Sequence, residues 1–177
     1  MRTARSCALL ICVLIGGAFA TASAQARPDF SGEWVRADSA EQRSVATVGD
    51  GAFRVGTMGS GWGSPLTLRQ AENRLQVEYT FFGTYDLQPR LSFTFALDGS
   101  ESRNSVMIGH TASMLRSRTS WRGDTLVITT QFPAPAGATE AVVRHTLTRE
   151  SPTSLVIEAT RGGSAPIRSV YTKIKTS

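Results

Sequence analysis

Apolar and polar residues alternate with a period of two along most of the chain. The clearest apolar rows are Leu75, Val77, Tyr79 and Phe81, and then Leu91, Phe93, Phe95 and Leu97. Because successive side chains of a strand point to opposite faces, this alternation predicts strands with one buried face. No stretch after residue 24 has the spacing of an amphipathic helix.

Turn-forming residues divide the alternating segments. Three hairpins are predicted, with Asp98-Gly99-Ser100 turning the first, Arg122-Gly123-Asp124 the second, and residues 150–154 joining strands 142–148 and 155–160 in the third. A last strand follows residues 162–166. The sequence therefore predicts an all-β meander of about eight to ten antiparallel strands.

A long meander leaves two unpaired edges unless it closes on itself. Closure removes those edges, so we expect an up-and-down barrel. A sandwich of two sheets is the alternative, since it has the same periodicity.

The first 24 residues differ from the rest. Arg2 and Arg5 precede an apolar run, and Ala22-Ser23-Ala24 supplies the small residues of a cleavage site. The sequence thus predicts a signal peptide over 1–24 and a single domain over 25–177, exported to a periplasm or the extracellular space. Cys7 and Cys12 both lie in the removed segment, so no disulfide is expected in the mature chain.

Charge and composition argue against two classes of partner, nucleic acids and membranes. Loss of Arg2 and Arg5 lowers the net charge from +5 to a mild +3, and the remaining arginines are scattered along the sequence. Nucleic-acid binding needs a basic stripe, so none is expected. Stable membrane insertion is not expected either, because the predicted strands are short for a spanning barrel and aromatic residues make up only 8% of the chain. Oligomeric state is left open.

The start of the mature chain, Pro28-Asp29-Phe30-Ser31-Gly32-Glu33-Trp34, resembles the opening Gly-x-Trp motif of lipocalins. The resemblance implies that Asp29 and Phe30 form a turn, that Gly32 is a bend, and that Trp34 plugs the closed end of a barrel. It also implies an arginine across that tryptophan, either Arg168 or Arg161.

The two ends of the mature chain also resemble uncharacterised exported bacterial proteins that begin Asp-Phe-Ser-Gly-x-Trp and end in Val-Tyr-x-Lys, here residues 170–173. The Thr-Asp-Tyr turn motif of lipocalins is absent, and no helix is predicted after the last strand. The resemblance is therefore to a lipocalin-like barrel.

Five residues are candidates for the wall of a ligand site: Tyr79, Phe81, Phe93, Phe95 and His145. A barrel of this size either is filled by its side chains or holds one small ligand, so a solid core stays open as an alternative. His145 shares a face with Val143 and Leu147, which predicts an inward side chain that serves the core, a ligand or a haem iron. The glycine-rich segment 44–64 is predicted to be a loop over the barrel mouth.

The sequence shows no motif typical of a catalytic or metal-binding site. No Gly-x-Ser-x-Gly or paired carboxylate is present, and two distant histidines without cysteine make a poor metal site, so neither a metal nor a cofactor is predicted. His110 follows a turn and is expected in solvent. Arg116 and Arg118 are predicted to face solvent; with the opposite phase they would enter the barrel and hold a carboxylate.

Taken together, these patterns favour an exported lipocalin-like barrel that binds a small apolar or amphipathic molecule. The alternative is a solid-cored envelope protein that binds partners through its loops and has no small-molecule ligand. An enzymatic role through His145 or a loop acid is the least favoured.

Overall fold

The computed structural model describes residues 27–37, 62–80, 90–108, 111–133 and 140–174. The predicted signal peptide, most of segment 44–64, Phe81 and His110 lie outside these ranges. No helix within them is long and apolar enough to cross a membrane.

The described chain forms ten strands, which confirms the predicted all-β fold. They are β1 (Gly32–Arg36), β2 (Leu66–Ala71), β3 (Arg74–Thr80), β4 (Arg90–Ala96), β5 (Ser102–Ile108), β6 (Thr111–Arg122), β7 (Thr125–Phe132), β8 (Ala141–Ser151), β9 (Ser154–Arg161) and β10 (Ile167–Lys173). With 12 and 11 residues, β6 and β8 are longer than the sequence predicts.

All ten strands belong to one antiparallel sheet that is nearly closed into a barrel. The sheet closes because β1 pairs with β2 on one side and with β10 on the other, so that Trp34 is aligned with both Leu66 and Lys173. The remaining strands follow in chain order, and the sheet ends at β4 and β5. The two-sheet alternative is therefore wrong.

The junction between β4 and β5, which we call the seam, differs from the predicted hairpin. The turn forms, with Gly99 at a φ of 85°, but the two strands share no backbone ladder. Instead, the Thr94 amide donates to Asn104 Oδ1 at 2.8 Å, and Asn104 Nδ2 donates to the Thr94 carbonyl at 3.1 Å. The Ala96 amide donates to Ser102 Oγ at 2.7 Å. Side chains therefore replace the backbone hydrogen bonds that would close the barrel here.

One end of the barrel, which we call the turn end, contains the tight connections 72–73, 97–101, 123–124 and 152–153. Trp34 is fully buried there, and its Nε1 donates to the Phe30 carbonyl at 3.1 Å. Gly32 has a φ of 147°, and the Asp29 carboxylate accepts a hydrogen bond from the Ser31 amide at 2.9 Å, so residues 29–31 form a turn that leads into a bend at Gly32.

The cation across Trp34 is a lysine, so the expectation of Arg168 or Arg161 was wrong. Lys173 Nζ lies 5.5 Å from the Trp34 ring centroid and donates to the Ser31 carbonyl at 2.7 Å. Lys173 is directly opposite Trp34 in the β1–β10 pairing, whereas Arg168 is exposed and pairs with Glu150 at 2.8 Å. Arg161 is also exposed.

Residues 27–31 complete the cover of the turn end. The Phe30 ring stacks on Trp121 with centroids 6.0 Å apart, and the Arg27 guanidinium lies 5.1 Å from the Trp121 centroid. Arg149 donates to the Asp29 carbonyl at 2.7 Å. This end of the barrel is therefore sealed by packing and by satisfied hydrogen bonds.

Substitution of Gly32 should destabilise the turn end. A Cβ at Gly32 would lie 2.4 Å from Lys173 Cε, in a backbone conformation that residues with side chains rarely adopt. We expect Gly32→Ala to lower the free energy of unfolding by about 1–3 kcal/mol in urea titrations. Gly163→Ala is the control: no atom lies within 4 Å of its added Cβ, and we expect a change below about 0.5 kcal/mol. Equal effects of the two substitutions would contradict this account of Gly32.

Substitution of Asn104 should weaken the seam. Asn104→Leu removes the partners of the Thr94 amide and carbonyl, so we expect a loss of about 1–3 kcal/mol in the free energy of unfolding. Hydrogen exchange followed by NMR should show reduced protection of the Thr94 amide. The exposed neighbour Ser105, changed to alanine, serves as the control. Unchanged protection at Thr94 in Asn104→Leu would contradict the role of Asn104.

Candidate ligand-binding site

A small cavity lies inside the barrel, towards the end opposite the turn end. Its volume is about 20 Å³, and its wall is formed by Trp62, Tyr79, Phe93, Phe95, Leu115, Ser117, Thr130, Phe132 and His145. A cavity of this size holds about one water molecule. We call this end the loop end; the strands β1, β3, β5, β7 and β9 end there.

Four of the five predicted site residues lie in this wall. Tyr79, Phe93, Phe95 and His145 line the same cavity, whereas Phe81 is outside the described residues. The alternation in β3, β4 and β8 fixes which residues face inward, so residues on strands far apart in sequence meet in the interior.

Sequence reasoning missed the other wall residues. Leu115 and Ser117 alternate with Arg116 and Arg118 in β6, so their inward direction was available from the pattern. No such alternation marks Trp62, since the glycine-rich sequence around it has no period of apolar and polar residues. Its position is set from outside that segment, because the buried Tyr171 hydroxyl donates a hydrogen bond to the Trp62 carbonyl.

The aromatic rings form a continuous series of near-parallel neighbours. The His145 and Trp62 centroids are 5.1 Å apart with an interplanar angle of 24°, and Trp62 and Phe95 are 6.2 Å apart at 22°. Phe95 is followed by Phe93 at 6.4 Å, and Phe93 by Tyr79 at 5.9 Å. These separations lie in the range of favourable offset stacking. The wall is thus suited to flat apolar groups.

Two polar features interrupt the apolar wall. Ser117 and Thr130 are opposite each other on β6 and β7, and their hydroxyls form a buried hydrogen bond of 2.9 Å. His145 is only 4% exposed, and its Nε2 is buried without a hydrogen-bond partner. A buried unpaired polar atom costs about 1–3 kcal/mol, which makes His145 an exception among native interiors.

Burial sets the protonation of the two titratable groups in the wall. It lowers the pKa of His145 to about 4, because the charged imidazolium is poorly solvated in the interior. Burial also raises the pKa of Tyr79 above its ordinary value. Both side chains are therefore neutral at pH 7, and the cavity carries hydrogen-bonding capacity without charge.

The geometry does not assemble the other chemistries considered from the sequence. Among the described residues, no cluster of three or more metal-ligating side chains occurs. A cavity of about 20 Å³ does not accommodate a porphyrin ring, so His145 as placed does not fit a haem iron. Its Nε2 has no hydroxyl or carboxylate partner, so the described part of the chain contains no triad around it.

Arg116 and Arg118 face solvent, as the alternation predicts. Arg118 lies 3.8 Å from Glu101, which also pairs with Arg103 at 2.9 Å. The hydrogen bond from Arg103 is the main cause that lowers the pKa of Glu101, and the charges of Arg103, Arg116 and Arg118 add to it. The inward-facing alternative, in which the two arginines hold a carboxylate inside the barrel, is therefore wrong.

Comparison with models of known protein families gives no match, and comparison with curated protein sequences gives none either. The functional interpretation therefore depends on the geometry of the cavity.

Burial of neutral His145 should make stability depend on pH. In the unfolded chain His145 takes up a proton near its ordinary pKa of 6.5, but in the folded chain only near 4. Its contribution is therefore complete above pH 6.5 and is lost as the pH falls towards 4, by roughly 3 kcal/mol in total. Urea titrations between pH 7 and pH 5 should detect the slope before the carboxylates titrate.

Two variants provide the controls for this slope. His145→Phe should flatten it, whereas His110→Gln, which changes the other histidine of the chain, should leave it intact. A wild-type stability that is constant from pH 7 to pH 5 would contradict the burial of a neutral His145.

Proposed function

We propose that this chain is an exported lipocalin-like barrel that binds a small apolar or amphipathic molecule in the cavity beside His145. The observation that carries the proposal is the unpaired, buried His145 Nε2 in a wall made otherwise of stacked rings. Buried polar groups in folded proteins are nearly always hydrogen-bonded. A ligand with a polar group at one edge and an apolar body would satisfy this atom and keep the rings out of water.

The contrast between the two ends of the barrel supports the loop end as the binding end. At the turn end, the polar groups of Trp34, Lys173 and Arg149 are hydrogen-bonded to carbonyls of residues 29–31. At the loop end, the wall combines a cavity with an unpaired nitrogen. Binding sites of this kind are typically apolar with a few fixed polar groups.

The ligand must displace protein atoms when it binds. A volume of about 20 Å³ holds a water molecule, whereas pockets for small molecules are commonly some hundreds of Å³. A wall side chain therefore has to move when a ligand enters. This movement does not expose the interior to water, provided that the ligand fills the space that the side chain leaves.

Export is supported by the first 24 residues. The charged start, the apolar run and the small residues before position 25 form the arrangement of a secretory signal, and they contain both cysteines. A barrel held together by packing and hydrogen bonds, with no thiol in the mature chain, suits an oxidising compartment.

The second candidate function is that of a solid-cored envelope protein that binds partners through its loops. The small cavity volume favours it, since side chains already fill most of the interior. In that case His145 is a core residue and the chain has no small-molecule ligand.

Native mass spectrometry distinguishes the two candidates. Residues 25–177 recovered from an exporting host should carry a reproducible small-molecule mass that disappears after denaturation. Ser117→Leu should abolish the added mass, because the larger side chain fills the cavity. Ser120→Leu is the matched control, since Ser120 is exposed on the outer face of the same strand.

The opposite results are equally informative. A clean mass from several hosts would favour the solid-cored protein. Retention of the bound molecule by Ser117→Leu, with the folded state confirmed by circular dichroism, would place the molecule elsewhere on the protein.

A further inference from the structure

We infer that the ligand is a flat aromatic molecule of one or two fused rings, and that it binds by taking the position of the Trp62 indole. This inference rests on the proposed function, because it names the chemical class of the ligand for the same cavity. In the unliganded protein, the Trp62 indole then occupies the position that the ligand takes when it binds.

Trp62 differs from every other described residue of the wall in where it is attached. The other eight wall residues lie on strands β3, β4, β6, β7 and β8, whereas Trp62 precedes β2 in the connection from β1. Movement of its side chain therefore breaks no backbone hydrogen bond of the sheet. The hydrogen bond from Tyr171 is to the Trp62 carbonyl, so it holds the backbone and leaves the side chain to rotate.

The surroundings of the indole define the shape of what replaces it. Trp62 is only 4% exposed, and its near-parallel ring neighbours are His145 at 5.1 Å and Phe95 at 6.2 Å. A planar ring preserves both stacking contacts, whereas a flexible alkyl chain would lose them and would also lose conformational entropy on binding. The site therefore favours planar ligands over extended ones.

His145 adds a requirement at the edge of the ring. Its Nε2 is buried without a partner, and the neutral imidazole offers either an acceptor or a donor there. The Trp62 indole lies nearly parallel to the imidazole and leaves this nitrogen unpaired, so a ligand in its place would reach Nε2 only through a polar substituent that extends beyond the outline of the indole. The class is thus that of planar aromatic rings with a polar substituent, in preference to pure hydrocarbons.

The first experiment removes the Trp62 indole by substitution and tests whether free indole binds in its place. Trp62→Ala should bind free indole at least tenfold more tightly than Trp62→Phe, in which a ring remains between the same neighbours.

The second experiment measures the response of the wild-type protein and uses a variant only to assign a resonance. Trp34, Trp62 and Trp121 are the three tryptophans of the chain, so protein labelled with 5-fluorotryptophan should give three fluorine NMR resonances. Trp62→Phe assigns the resonance of Trp62. Titration with quinoline, which contains no fluorine, should move that resonance towards the position of solvent-exposed fluorotryptophan and leave Trp34 unchanged.

The outcomes separate this inference from the proposed function. Displacement of Trp62 in the wild type, together with indole binding by Trp62→Ala, supports both. A bound mass in the native spectrum with the Trp62 resonance unmoved by quinoline overturns the inference and leaves the proposed function standing. Indole binding by Trp62→Ala without any response of the wild type also overturns it, because indole then fills only an engineered hole. A clean native mass and no response to quinoline overturn both.

Discussion

Closure of the sheet depends on the five residues of β1. In the described structure, this strand joins the two halves of the meander by backbone pairing, since it pairs with β2 on one side and β10 on the other. A strand of five residues is short for this role, and the contacts of the Trp34 side chain add to its backbone pairing. The indole is fully buried, it is hydrogen-bonded to Phe30, and Lys173 lies across it from the neighbouring strand. The Gly-x-Trp motif is thus the point at which the barrel is held together.

The two ends of the barrel differ in how completely their polar groups are hydrogen-bonded. At the turn end, aromatic rings, cations and carbonyls satisfy one another. At the loop end, the rings stack as well, but one nitrogen has no partner and one ring comes from outside the strands. The cost of that unpaired nitrogen is tolerable because the turn end contributes packing that does not depend on it. An interior with an unpaired polar atom at one end is therefore supported by a closely packed structure at the other.

Most of the fold and part of the site follow from the alternation of side chains. Period two assigns Tyr79, Phe93, Phe95 and His145 to one interior, and closure then brings them together whatever their separation in sequence. Three features escaped the same reasoning for definite physical reasons. The Asp98-Gly99-Ser100 signature specifies a turn but not a ladder, so it could not reveal that Asn104 would bond to Thr94 in place of the backbone. Trp62 lies among glycines, where no period exists. Arg168 and Lys173 have opposite parity on β10, and only the register with β1 decides which of them faces Trp34.

The pairing of β1 with β10 also bears on how the chain acquires its structure. Trp34 and Lys173 are close to opposite ends of the described chain, so the contact between them closes a loop that includes almost all of the sheet. The hairpins are local and can form in turn as the polypeptide emerges from a ribosome. The contact between Trp34 and Lys173 cannot form until the last strand has appeared. Until then β1 can pair with β2 alone, and its other edge is open to pairing with other chains. A chain of this topology is therefore most vulnerable to aggregation just before its synthesis is complete.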